Sequence, residues 1–178
     1  MNKAEILIID DEPQIRKLLE INLESNGYKV SQAQTGKEGM VMAANHPPEL
    51  ILLDIGLPDI NGHEILKELR VWYNKAIIIL SVESSETDIV KALDNGATDY
   101  LTKPFRTNEL LARIRSCIRR NNTEENKSVL TFDDLQIDYN SRIVKKNQVV
   151  VKLTATEYQL FCLFAKNEGR VLTHQLIL

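Results

Sequence analysis

The chain has 178 residues, of which 43% are hydrophobic and 26% are charged, and its formal net charge at pH 7 is −3. These values are typical of a globular protein; they exclude a disordered chain, and neither half carries a strong basic field that would by itself indicate nucleic-acid binding. No apolar run approaches the ~20 residues of a membrane span and no signal peptide opens the chain, so we expect a cytoplasmic protein without membrane contact whose cysteines, Cys117 and Cys162, are reduced.

Residues 1–120 alternate apolar strands with helical patterns, which predicts a parallel sheet covered by helices on both faces. Pro13 suits the first turn of the first helix, and Thr35 with Glu38 is a possible capping box for the second. Gly27 and Gly96 are helix stop signals. The predicted strands are 6–9, 28–33, 50–53, 76–80 and 100–101. The predicted helices start near residues 13, 35, 63, 87 and 107, and the last ends near residue 120.

Residues 121–127 lack apolar side chains and predict a linker before a region of another class. Four short strands follow, at 129–132, 135–138, 143–145 and 149–153, separated by turns at 133–134, 140–141 and 146–147. They predict an antiparallel meander. Thr154 and Glu157 form a second candidate capping box, whose helix ends near Gly169, and another helix begins around Thr173. Because four short strands and one helix make a thin core, we expect residues 128–178 to be an incomplete domain.

Polar residues end the strands of the predicted parallel sheet. Asp10 and Asp11 follow the first strand, Asp54 the third, Ser81 the fourth and Lys103 the fifth. The carboxyl ends of parallel strands share one edge, where ligands bind. Crowded carboxylates repel one another, and Mg²⁺ relieves that repulsion, while the ammonium and hydroxyl groups suit phosphoryl oxygens. The set predicts a carboxylate that accepts a phosphoryl group, with Asp54 as the nucleophile.

Two other functions use a similar sheet. A phosphatase of the haloacid-dehalogenase type places a general acid two residues after its aspartyl nucleophile, where this chain has Gly56. A nucleotide-binding module needs a glycine-rich turn after the first strand, where this chain has two aspartates. The remaining candidates have plainer interpretations: Gly62 as a turn residue, and the histidines, which lack metal-ligand spacing, as surface or loop residues. The histidines are His46, His63 and His174.

The motifs together resemble the receiver domain of two-component response regulators. The resemblance covers residues 1–120 and rests on 6–11, 54–58, Ser81 and 99–105. It implies a doubly wound five-stranded α/β sheet of strand order 2-1-3-4-5. Residues 128–178 resemble the start of the winged-helix effector domain of the OmpR/PhoB subfamily, an α+β domain, through 153–158 and 169–173. Within that subfamily the chain resembles the Kdp-type regulators of potassium transport, through 56–59, Trp72 and 76–81.

The resemblance implies a role for each site residue. Asp54 becomes the phosphoacceptor for a sensor histidine kinase, and Lys103 contacts the phosphoryl group. Ser81 and Tyr100 form a switch pair. Mg²⁺ is held by side chains of Asp11 and Asp54 and by the Gly56 carbonyl, with Asp10 acting through water. A cis bond is implied between Lys103 and Pro104. Such a protein catalyses its own phosphorylation and dephosphorylation and is not a turnover enzyme.

The resemblance also implies partners. Phosphorylation prepares a homodimer face made by the fourth helix, fifth strand and fifth helix, with Asp99 and Arg113 as a candidate pair between subunits. Thr98 and Ile89 stand where the subfamily usually carries charged residues, so we expect a modestly weaker dimer. Promoter DNA is the partner of a complete regulator. The recognition helix would follow Leu178, so we expect no operator-specific binding by this chain.

Overall fold

The order of strands and helices follows the sequence pattern. The computed structural model describes residues 3–124, 129–139 and 141–167. The first region, residues 3–124, contains β1 (Glu5–Ile9), α1 (Pro13–Ser25), β2 (Lys29–Ala33), α2 (Gly36–Asn45), β3 (Leu50–Asp54), α3 (Gly62–Trp72), β4 (Ala76–Ser81), α4 (Glu86–Asp94), β5 (Asp99–Thr102) and α5 (Thr107–Glu124). The second region, residues 129–167, contains β6 (Val129–Phe132), β7 (Leu135–Asp138), β8 (Ile143–Lys146), β9 (Val149–Val151) and α6 (Ala155–Lys166).

The first region is built on a five-stranded parallel sheet of order β2-β1-β3-β4-β5, which confirms the predicted doubly wound α/β fold. Every residue of β3 and β4 is buried, as expected for strands that helices cover on both faces. One apolar layer includes Leu19 of α1 and Ile114 of α5. The opposite layer includes side chains of α2 and α3, among them Ile65 and Leu69. This frame fixes the carboxyl ends of β1, β3, β4 and β5 along one edge.

The start of α2 differs from the predicted capping box. Thr35 accepts a hydrogen bond from the Glu38 amide, but the Glu38 carboxylate accepts from the amide of Gln34 rather than from that of Thr35. Asp59, from the loop after β3, accepts from the amides of Gly36 and Lys37 at 2.9 and 3.0 Å. A side chain distant in sequence therefore completes this helix start, whereas the box predicted at the start of α6 is present in full.

The second region contains a four-stranded antiparallel sheet of order β6-β7-β8-β9, as predicted. Its last hairpin turns at Asn147 and Gln148, one residue later than expected, because β8 continues to Lys146. Both turn residues have positive φ, 50° and 66°, which is the geometry of a tight two-residue hairpin. Ile137 and Val144 pack beneath α6, while Val149–Val151 stays exposed.

Three other predictions concern the linker, the end of the chain and membrane spans. Helix α5 continues to Glu124, so residues 121–124 are helical where a linker was predicted. The predicted features at Gly169, Thr173 and His174 lie outside the described residues. Among the residues that are described, no helix combines the length and the apolar composition needed to cross a membrane.

Candidate functional site

The predicted site residues meet at the carboxyl edge of the parallel sheet. Asp10 follows β1, Asp54 ends β3, Ser81 ends β4 and Lys103 follows β5. Asp54, Ser81 and Lys103 line a cleft of about 700 Å³, and Asp10 is buried beside Lys103. The cleft is lined by Asp11, Glu12, Asp54, Ile55, Gly56, Asn61, His63, Ser81, Val82, Glu83, Asp88, Lys91 and Lys103. Placing these polar ends of buried strands together is a consequence of the parallel topology.

Three carboxylates form the acidic floor of the cleft. Oxygen atoms of Asp10, Asp11 and Asp54 all lie within 4.8 Å of one another. Asp10 and Asp54 are buried, whereas Asp11 is exposed. An all-oxygen donor set that is open on one side fits Mg²⁺, which prefers one or two carboxylates and keeps several waters. The residues present therefore fit the predicted metal.

Asp10 uses both carboxylate oxygens within the protein. Its Oδ1 accepts from the Glu12 amide at 2.8 Å, and its Oδ2 accepts from the Lys103 ammonium at 2.8 Å. Its backbone carbonyl accepts from Arg16 at 2.6 Å. With these partners, Asp10 is better placed to orient a metal-bound water than to bind a metal directly, whereas Asp11 and Asp54 face the cleft.

Lys103 joins the carboxylates across the edge. Its Nζ lies 3.5 Å from Asp54 Oδ1 and 3.4 Å from Glu12 Oε1, and its side chain is 8% exposed. Burial disfavours the charged ammonium, but the hydrogen bond to Asp10 and the charge of Asp54 outweigh burial, so the pKa of Lys103 is raised. The lysine is therefore a fixed positive charge directed at the Asp54 carboxylate.

The pKa of Asp54 is raised above its ordinary value of 3.8. Burial is the largest cause; Lys103 opposes it and the neighbouring Asp10 adds to it. A buried carboxylate is less well solvated and therefore more basic than an exposed one. This makes Asp54 a better nucleophile than an exposed aspartate. The amide of Gly56 donates to Asp54, so the loop after β3 holds the carboxylate in place.

Ser81 ends β4, and Tyr100 lies in the neighbouring strand β5, where it is in register with Ile79. The Ser81 hydroxyl is buried and accepts from the Glu83 amide at 3.0 Å. The Tyr100 ring is 7% exposed, and its hydroxyl donates to the Glu83 carbonyl at 2.9 Å. Burial raises the pKa of Tyr100 and outweighs the hydrogen bond with Ser81, which acts to lower that pKa. Both predicted switch residues therefore meet the same loop residue, Glu83.

Two residues for which the sequence predicted no chemical role, Gly62 and His63, lie at the site. Gly62 was predicted to be only a turn residue, yet a Cβ at this position would lie 2.6 Å from the Asp54 carbonyl oxygen. Glycine therefore lets α3 begin directly against the strand that carries Asp54. His63 was predicted to lie in a loop or at the surface, which is wrong: it is buried at the start of α3 and lines the cleft. Nothing in the sequence distinguishes this single helical histidine from an exposed one.

The predicted dimer pair exists within a single chain. Arg113 of α5 donates to both carboxylate oxygens of Asp99 at 3.0 and 2.9 Å, and also to Glu109 at 2.8 Å. To bridge two subunits, Asp99 and Arg113 would exchange these partners for the same residues of a second chain. Asp99 lies in β5 and Arg113 in α5, and the use of α4, β5 and α5 as a homodimer face stays a prediction.

Comparisons with known proteins agree with this geometry. Residues 6–115 match the response regulator receiver domain family. The chain is 43% identical to the transcriptional regulatory protein KdpE of Mycobacterium tuberculosis over 168 residues, 93% of this chain and 74% of the relative. It is 40% identical to the KDP operon transcriptional regulatory protein KdpE of Escherichia coli over 174 residues, 97% of this chain and 77% of the relative.

Two solved structures show similar architecture. A receiver domain protein from Methanospirillum hungatei has a TM-score of 0.66 and 31% identity, over 69% of this chain and 99% of that chain. The response regulator DrrB of Thermotoga maritima, described as an OmpR/PhoB homologue, has a TM-score of 0.61 and 27% identity, over 99% of this chain and 78% of that chain.

Proposed function

This chain belongs to the response regulators of two-component systems that control transcription, and on that basis we propose that Asp54 is its phosphoacceptor. The observation that carries the proposal is the position of Asp54, buried at the end of β3 with Lys103 at 3.5 Å and two further aspartates beside it. The phosphodonor is the phosphohistidine of a sensor histidine kinase.

The reaction is a transfer between two side chains. An Asp54 oxygen forms a bond to phosphorus as the bond between phosphorus and the imidazole nitrogen breaks, and the imidazole leaves as a neutral ring when its other nitrogen is protonated. Lys103 orients the phosphoryl group and balances its charge. Asp11, Asp54 and the Gly56 carbonyl would hold Mg²⁺, with Asp10 positioning its water, and the metal supplies charge neutralisation at the phosphoryl oxygens.

The lifetime of the phosphoryl group follows from the same side chains. A turnover phosphatase of the haloacid-dehalogenase type needs a general acid two residues after its nucleophile, and Gly56 offers no side chain there. We therefore expect Asp54 to be phosphorylated and dephosphorylated by self-catalysis, slowly enough to act as a signal. This is the role of a switch rather than of an enzyme.

The signal passes to the neighbouring strand. Ser81 donates to a phosphoryl oxygen in place of its present contact, and Tyr100 stabilises the rearranged loop at Glu83. The face formed by α4, β5 and α5 then pairs two chains, with Asp99 and Arg113 exchanged between subunits. Phosphorylation thereby becomes a change of assembly.

We also assign a function to each region of the chain. Residues 1–120 act as the receiver, whose last helix, α5, continues to Glu124 before the connection to residues 128–178. Residues 128–178 act as the start of a winged-helix domain. In the cytoplasm, the complete regulator would bring two such domains to promoter DNA.

The test is phosphorylation by a small acyl phosphate in the presence of Mg²⁺, followed by intact-protein mass spectrometry. We expect one acid-labile phosphoryl group on the wild-type chain and none on Asp54→Asn. The matched control is Asp59→Asn, which removes an aspartate that caps α2 outside the cleft and should leave labelling intact. Full labelling of Asp54→Asn would refute the assignment.

A further inference from the structure

The two regions contact each other away from the phosphoacceptor cleft. Helix α6 of the second region packs against α3 and α2 of the first. Residues Ala44 and Trp72 lie at the carboxyl ends of those two helices, and strand β4 begins just after α3. In a parallel α/β sheet the helices run opposite to the strands, so these helix ends lie at the sheet edge opposite to Asp54.

Arg142, from the turn between β7 and β8, is the central contact. Its guanidinium carbon lies 5.4 Å from the Trp72 ring centre and 4.5 Å from that of Tyr158 in α6. It also donates to the Ala44 carbonyl, one of the last carbonyls of α2, which have no partner within the helix. One side chain thus holds two aromatic rings and a helix end together.

Burial and backbone geometry both indicate a specific contact. Trp72 and Tyr158 are 6% and 3% exposed. Arg142 is half-buried, and burial lowers its pKa, although it stays a cation in any physiological solution. Its φ of 53° is uncommon for a residue with a side chain, and such a conformation persists where the surroundings hold it. A cleft of about 340 Å³ borders this contact between the regions.

The pairing face proposed above uses other elements. It comprises α4, β5 and α5, with Asp99 and Arg113 bonded there at 2.9 Å. Helix α6 rests on α3 and α2, whose carboxyl ends lie at the edge remote from the cleft. A second receiver that covers α4, β5 and α5 would therefore leave the Arg142 contact in place.

We propose that the α2–α3 face is a docking surface for the second region of the same chain, fixed by Arg142 between Trp72 and Tyr158, and that docking persists when two receivers pair. The second part rests on the proposed function, because it presumes phosphoryl-dependent pairing. The second region would then keep one orientation relative to its own receiver when two receivers pair. Pairing would not require the second region to leave the face formed by α4, β5 and α5.

The chain offers a built-in probe, because Trp72 is its single tryptophan. We expect Arg142→Ala to shift Trp72 emission to longer wavelength, as water reaches the ring, and to speed amide hydrogen exchange in α6 roughly tenfold, as expected for loss of a partly desolvated cation–π contact. Arg142→Lys keeps the charge but loses the planar stacking, so an intermediate effect is expected.

The matched control is Lys146→Ala, which removes a positive charge from the exposed end of the same hairpin. It should leave emission and exchange as in the wild type. Equal behaviour of Arg142→Ala and wild type in both measurements would overturn the docking surface. Unchanged urea unfolding of the first region in Arg142→Ala shows that the variant still folds.

Persistence of docking is tested in the same 178-residue chain with Mg²⁺ and beryllofluoride, a phosphoryl analogue. We expect sedimentation to show a dimer while Trp72 emission and α6 protection stay as in the monomer. Loss of α6 protection on dimer formation would overturn this part. If the chain takes up neither the analogue nor a phosphoryl group, the proposed function is contradicted. The docking surface is still decided by comparing Trp72 emission and α6 exchange of Arg142→Ala and wild type without the analogue.

Discussion

The two sheets of this chain differ in how their apolar faces are covered. Strands β3 and β4 are buried along their whole length, because helices cover both faces of the parallel sheet. Strand β9 is exposed along its whole length, and the antiparallel sheet has α6 on one face. The first region thus closes its own core, whereas the second takes part of its cover from α2 and α3.

This difference determines where chemistry can reside. A sheet that is buried on both sides fixes the positions of its strand ends, and Asp54 and Lys103 lie 3.5 Å apart at one such edge. The second region exposes Val149 (68%) and Phe164 (46%), and a surface of this kind serves contact better than catalysis. Of the three predictions that follow, two compare matched positions in the two regions and one concerns the site in the first region.

The largest effect is expected in the core of the parallel sheet. Leu52→Ala, in the middle of β3, should lower the free energy of unfolding by about 2–5 kcal/mol, because it leaves a cavity among side chains that cannot close around it. Val150→Ala, in the exposed β9, should change stability by no more than about 0.5 kcal/mol. Urea unfolding of both variants checks the contrast, and equal losses would show that β9 has a core of its own.

A smaller effect, of opposite sign, is expected at the site. Asp54→Asn should stabilise the metal-free chain by roughly 0.5–2 kcal/mol, as is common when a functional charge is removed from a buried position. The folded-state pKa of Asp54 is raised, so its favourable contribution is complete below pH 3.8 and is lost as pH rises through the folded pKa. The gain from Asn should therefore vanish in acid and be fully present at neutral pH.

Mg²⁺ supplies the control for that measurement. Metal should stabilise the wild-type chain and reduce the advantage of Asp54→Asn, because a ligand that binds the native state adds to its stability. Thermal unfolding with and without Mg²⁺ checks this. A wild-type chain that is indifferent to Mg²⁺ would place the metal elsewhere.

The smallest effect compares two helix caps. Thr154→Ala should destabilise the start of α6 by about 1 kcal/mol, since it removes the acceptor for the Glu157 amide. Thr35→Ala should cost less, because Asp59 still accepts from two amides of the first turn of α2. Hydrogen exchange of the first turns of α2 and α6 measures both. A larger loss at Thr35 would mean that Asp59 adds little to α2.

Much of the first region was predictable because one physical pattern repeats. Short apolar runs such as residues 76–80 that alternate with helical patterns are typical of strands buried on both faces, and polar residues at their ends then fall on a common edge. Asp10, Asp54, Ser81 and Lys103 were predicted from that rule and do meet there. Their chemical roles stay predictions until the phosphorylation experiment is done.

Other features depend on neighbours that are distant in the chain. The burial of His63 and the close approach of Gly62 to the Asp54 backbone arise because α3 begins against the end of β3. The pairing of Asp99 with Arg113 inside one chain depends on how α5 lies beside β5. Local sequence carries no signal for such distances.

The sequence by itself determined the strand and helix order, the parallel and antiparallel character of the two sheets, and the polar edge that carries Asp54, since each follows from periodicity and from strand direction. Tertiary structure alone decided that Asp59 completes the start of α2 and that Arg142 lies between Trp72 and Tyr158. These contacts join residues from separate elements, and their geometry is set by packing of the whole chain rather than by any local preference.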